Sequence, residues 1–122
     1  FLKEQNKKTA YAKKIDKEEL KIDWNNNALD IVNKIRAFSM LPGAYSTFKN
    51  KRIKILEAEI SNLNLMGLSQ GCIFINQDEL HIKSSDYGIK INLLKPEGKQ
   101  AIRAIDFING YLASNDNILK FE

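Results

Sequence analysis

Hydrophobic positions along the chain follow two rhythms. Ala28, Ile31, Val32, Ile35 and Phe38 recur at spacings of three and four, which predicts an amphipathic helix over about 26–38. Asn25, Asn26 and Asn27 precede it as candidate caps, and Pro42-Gly43 stops any continuation. From Ala44 the period becomes two. Ala44 to Phe48 reads as a short strand, and Lys49-Asn50-Lys51 as a hairpin loop. In Arg52 to Ala58, Ile53 and Ile55 alternate with Arg52 and Lys54, placing the two cations on one strand face.

Ser61 to Gln70 reads as a loop. Gly71 to Ile75 and Glu79 to Lys83 form a second hairpin around Asn76-Gln77-Asp78, with His81 facing outward beside Lys83. Gly88 to Leu94 alternates again, with Ile89, Ile91 and Leu93 inward and Lys90 and Asn92 outward. After the Pro96-Glu97-Gly98 turn, Ala104, Phe107, Ile108 and Tyr111 mark a short helix ended by Gly110. The tally is mainly β with flanking helices. It predicts an OB-fold-like five-stranded open barrel, one helix before the strands and a short one after, with a half-open sandwich or roll as the alternative. Its expected core is Ile53, Ile55, Ile73, Ile75, Ile89, Ile91 and Leu93, closed by Phe38 and Phe107.

Residues 1–22 break both rhythms, being rich in Lys, Glu, Gln and Asn, and read as a linker or arm. Residues 23–122 form the folded domain. At 122 residues and 43% hydrophobic, the chain suits one ordinary domain with a real core. No apolar run approaches the roughly 18 residues of a membrane span. Cys72 is the single cysteine, so there is neither an internal disulfide nor a cysteine framework for zinc.

Charge adds an asymmetry. Residues 1–60 carry 13 Lys and Arg against 8 Asp and Glu, while residues 61–122 carry 6 against 7. Either the lysines only solubilise the chain or the basic half meets a polyanion. On the second reading the candidates are Lys13 and Lys14 in the arm, with Lys49, Lys51, Arg52 and Lys54 at the first hairpin. No catalytic constellation emerges. His81 is the only histidine, Cys72 sits in an apolar strand, and no P-loop, GxGxxG, HExxH or GxSxG pattern occurs.

Four segments, TAYAKKIDKEELKIDW, IRAFSMLPGAY, KRIKILEA and LLKPEGKQAIRAIDFING, resemble in order and spacing the C-terminal domain of the methionyl-tRNA formyltransferase family. The resemblance runs from about Thr9 to Gly110. It implies an OB-like domain that helps an N-terminal catalytic domain grip initiator methionyl-tRNA. The catalytic asparagine, histidine and aspartate motifs of that N-terminal domain are absent from this chain. The implied whole enzyme is a cytoplasmic monomer acting in translation initiation, with 10-formyltetrahydrofolate as formyl donor and no cofactor in this fragment.

By position, Lys14 matches a linker lysine placed near the acceptor end of the bound tRNA. Asp23-Trp24 matches the lead into the helix, and Arg36 the arginine near its end. Pro42-Gly43, Arg52 to Lys54 and Pro96 to Lys99 match the turn and strand signals. Lys13, Ser39-Met40-Leu41 and Arg103 depart from the pattern, and Arg103 replaces a capping serine. Two other readings stand beside this one. The first is a sister folate-dependent formyltransferase, such as a sugar-nucleotide enzyme or a formyltetrahydrofolate dehydrogenase. The second is a freestanding OB-type RNA-binding module, for which Tyr45, Phe48 and Tyr87 are the candidate stacking aromatics.

Overall fold

The computed structural model describes residues 20–39, 42–63, 65–112 and 120–122, and Lys13 and Lys14 lie outside them. Helix α1 spans Ala28–Phe38. Strands follow at Tyr45–Phe48 (β1), Lys51–Ile60 (β2), Ile73–Asn76 (β3), Glu79–Lys83 (β4), Gly88–Pro96 (β5) and Ile102–Arg103 (β6). Helix α2 covers Ala104–Tyr111. The strands pair antiparallel in the order β1-β2-β5-β4-β3, a curled half-barrel as expected, and the two-residue β6 joins β5 beyond the end of β4.

Local chemistry explains the element ends. Asn27 caps α1, its side chain accepting from the Asp30 amide at 2.8 Å. The Trp24 indole donates to the Ser46 hydroxyl at 2.9 Å, with both residues buried, and so ties the lead into α1 onto β1. Both hairpins turn on two residues rather than three. Lys49 and Asn50 have φ of 51° and 67°, and Gln77 and Asp78 have 50° and 67°. Positive φ at both central positions defines a type I′ turn, whose twist matches the strands. Lys51 and Asn76 are therefore strand residues.

Inside–outside alternation holds until the β2–β5 pairing, where it flips. The register passes from Ile55↔Leu94 to Glu57↔Leu93 to Ala58↔Ile91, with Leu56 and Asn92 as extra residues. One extra residue exchanges the two faces of a strand. On β2 the buried set accordingly changes from Ile53 and Ile55 to Ala58, and on β5 from Ile89 and Ile91 to Leu94. Leu93, expected in the core, is half-buried for this reason, and Leu94 takes its place.

Other expectations are corrected at the sheet edge. Ile75 is 40% exposed and Ile73 half-buried, because β3 ends the strand order with a neighbour on one side only. Phe38 is half-buried at the end of α1. His81 and Lys83 are buried rather than outward, because β4 lies between β3 and β5 and is covered on both faces. Gly110 does not end α2. The Tyr111 ring stacks on Phe107 at 4.8 Å and 10°, and the helix runs on to Tyr111. Arg103 stands at its N-cap with no side-chain capping bond.

The C-terminal residues close the barrel. The Phe121 amide donates to the Gly71 carbonyl and the Glu122 amide to the Thr47 carbonyl, both at 2.8 Å. This segment thus stitches the lead into β3 to β1, the two edges of the sheet. Phe121 is fully buried among Trp24, Phe48 and Phe107. At the other end Leu20 and Ile22, within the stretch expected to be an arm, are packed, and the Ile22 amide bonds the Tyr45 carbonyl at 2.8 Å.

Candidate nucleic-acid interface

Backbone parity separates the four hairpin cations. Arg52 pairs with Thr47 and Lys54 with Tyr45, on the outer face of β1–β2. Lys51 pairs with Phe48 on the opposite face, and it joins Lys49 around a cleft at the hairpin tip. Lys49 sits in the turn with its ammonium 5.4 Å from the Phe48 ring centre. The expected group of four is thus two pairs.

On the outer face the register adds cations that the sequence reading missed. Lys54 stands directly opposite Lys95 of β5, and Lys21 bridges in parallel to Tyr45. A shallow hollow of about 390 Å³ is lined by Lys21, Tyr45, Thr47, Asn50, Arg52 and Glu97. The Arg52 guanidinium lies 4.4 Å from the centre of the Tyr45 ring, a cation–π contact that holds it over that ring. Lys54 packs its aliphatic stem on Gly43, where a Cβ would approach the Lys54 Cδ to 2.9 Å. Gly43 also has a φ of +90°, so two constraints select glycine there. Tyr45 is half-buried, Phe48 is in the core, and only Tyr87, at 61%, is widely exposed.

Like charges directly opposite each other on a sheet are destabilising. The Lys54–Lys95 pair therefore works against the fold. Beyond the Leu56 bulge the face changes sign: Glu57 and Glu59 line a groove with Arg36, and Asn92 donates to Glu59 at 3.1 Å. Arg36 sits opposite those acids. The Asp23 carboxylate accepts from the Asn25 amide at 3.0 Å.

A second polar cluster lies on β4 and β5. The Glu79 carboxylate meets His81 Nε2 at 3.1 Å and Lys90 Nζ at 3.2 Å, and these hydrogen bonds, His81 first, hold its pKa below the usual carboxylate range. His81 Nδ1 is buried with no partner among the described residues. No group of three His, Cys, Asp or Glu side chains among the described residues could hold a metal ion. Among the described residues no nucleophile, base and oxyanion donor are brought together.

A small curled antiparallel half-barrel with one helix before the strands and a short one after is an OB-fold-like architecture. Residues 14–112 match the family described as "Formyl transferase, C-terminal domain". The chain belongs to that family. It is 38% identical over 120 residues to the methionyl-tRNA formyltransferase of Caldicellulosiruptor saccharolyticus, covering 97% of this chain and 39% of that protein. With the methionyl-tRNA formyltransferase of Thermodesulfovibrio yellowstonii it shares 35% over 108 residues, 88% of this chain and 34% of the relative. The chain thus spans a little over a third of the length of these curated relatives. Among solved structures, HypX from Aquifex aeolicus in complex with tetrahydrofolic acid matches with a TM-score of 0.68 at 14% identity, covering 97% of this chain and 22% of that one. That likeness is one of fold.

Proposed function

We propose that this chain is the C-terminal domain of a methionyl-tRNA formyltransferase and that its outer β1–β2–β5 face grips the backbone of initiator methionyl-tRNA. The N-terminal domain of the same protein then transfers the formyl group from 10-formyltetrahydrofolate to the methionine amino group, for translation initiation in the cytoplasm. No helix among the described residues is long and apolar enough to cross a membrane. The carrying observation is the register of Arg52, Lys54 and Lys95 on one face, where the Lys54–Lys95 pairing lowers stability and is explained by phosphate on the other side. Lys13 and Lys14 extend the same reading into the arm.

The test is initiator-tRNA binding by the full-length protein over a range of salt. Phosphate contacts make the logarithm of affinity fall linearly with the logarithm of salt, and each lost contact flattens the slope by about one. The double variant Arg52→Ala/Lys54→Ala is expected to flatten it by about two, while Arg36→Ala, beside Glu57 and Glu59, leaves it in place. An unchanged slope in the double variant defeats the assignment of this face.

A further inference from the structure

The hairpin tip holds a second feature that backbone gripping does not use. Between the Lys49-Asn50 turn, the turn after β5 and the last residues of α2 lies a cleft of about 130 Å³. Phe48 and Ile53, 3% and 1% exposed, contribute apolar surface to its lining. Tyr111 forms one wall, its ring fixed by the stack on Phe107. Lys49, Lys51 and Lys99 also line it, with Glu97 as the single acid among the described residues. Ligand pockets for whole small molecules run to roughly 300–1,000 Å³, so this space suits one ring system and not a larger molecule.

An aromatic wall, an apolar interior and an excess of ammonium groups together recognise a flat ring that carries an anion. Glu97 adds an acceptor for a ring amino group. Of the common ligands, a nucleotide combines these properties: a base to stack and a phosphate to neutralise. The position agrees. The cleft opens on the opposite strand face from Arg52 and Lys54, but Glu97 lines both hollows, and the two turn residues divide between them, Lys49 on the cleft and Asn50 on the outer one. A strand whose phosphates follow the outer face can therefore turn one residue over the hairpin tip.

We propose that this cleft takes a single unstacked nucleotide of the bound RNA, with its base against Tyr111 and its phosphate among Lys51, Lys99 and Lys49. The proposal rests on the RNA-binding reading of the domain and adds a base-contacting subsite to it.

The test compares two single-stranded probes on the full-length protein by fluorescence anisotropy: a tetraadenylate RNA and the same ribose-phosphate tetramer without bases. Stacking one base on an aromatic ring corresponds to about a 5- to 100-fold gain in affinity, so the wild type is expected to prefer the tetraadenylate by that factor. Tyr111→Leu, which keeps an apolar wall, is expected to bring the ratio near one, and Tyr111→Phe, which keeps the ring, to preserve it. Lys51→Ala/Lys99→Ala is expected to weaken both probes. Arg52→Ala/Lys54→Ala should lower affinity for initiator tRNA while leaving the ratio intact, so failure of the outer face is read separately from failure of the cleft. A wild-type ratio near one, or a ratio that Tyr111→Leu leaves unmoved while Tyr111→Phe melts like the wild type, overturns the proposal.

Discussion

Asp86 acts on a helix 58 residues away in the chain. Its Oδ1 accepts from the Ala28 amide at 2.8 Å, the Tyr87 amide at 2.7 Å and the Ser84 hydroxyl at 3.0 Å, so the first turn of α1 has a carboxylate cap besides Asn27. The Ala28 bond is the largest cause holding its pKa below the usual carboxylate range. A carboxyl with a lowered folded-state pKa stabilises the fold above its unfolded value, about 4, and loses that contribution as the pH falls through the folded value. Asp86→Asn keeps an acceptor oxygen and removes the charge. It is expected to lower stability by about 0.3–1 kcal/mol at pH 7, the range for an exposed charge at a helix N-terminus, and by less at pH 3, below the unfolded value. Urea unfolding at the two pH values checks this, and an equal difference at both would show that charge plays no part. Asn27 was legible in the sequence because a cap stands next to the helix it serves. Asp86 was not, because only the folded chain brings residues 28 and 86 together. His81 was misread for a related reason: alternation tells two strand faces apart but cannot say that both are covered.

Among elements, the C-terminal three residues are the least legible and among the most structural. A segment this short has no period to read, and its place follows from the gap between β1 and the lead into β3. Phe121 fills the centre of the aromatic cluster, and its carbonyl lies against Gly71, which has a φ of +89° and no room for a Cβ. Truncating a buried phenylalanine costs about 3–5 kcal/mol, a large share of the 5–15 kcal/mol that holds a typical domain together. Phe121→Ala is expected to fall in that range in urea unfolding. Phe74→Ala, on the edge strand at 40% exposure, is expected to cost about 1 kcal/mol or less. Equal losses would mean that the barrel does not depend on the tail. The helices and hairpins, by contrast, were readable from periodicity and turn residues. The extra residues Leu56 and Asn92 were not, since an inserted residue leaves composition unchanged and shows itself only when two strands are laid in register.

On the scale of the molecule, one body carries a cationic face and an aromatic cleft. The candidate residues were half legible. Charge and order along the chain pointed to Lys49, Lys51, Arg52 and Lys54, but their division into two faces needed the strand parity, and Lys21, Lys95 and Lys99 needed the register and the turns. If the proposed function holds, the domain is separable from the catalysis. Its buried cluster runs without a break from Ile22 through Ile53, Ile91 and Phe107 to Phe121, and Cys72, the only cysteine, is a free thiol. A chain of this length buries enough surface to fold without metals or crosslinks. The purified 122-residue chain is therefore expected to melt in one cooperative transition, at the same temperature with chelator or reductant present. Given charged initiator tRNA and 10-formyltetrahydrofolate, it is expected to produce no formylmethionyl-tRNA. Added in excess to the full-length protein at low salt, it is expected to compete for tRNA and slow formylation, and the Arg52→Ala/Lys54→Ala form of the fragment to compete less. A chain that formylates by itself would overturn the proposed division of labour between two domains. One that folds cooperatively yet never competes would move the tRNA grip wholly to the other domain.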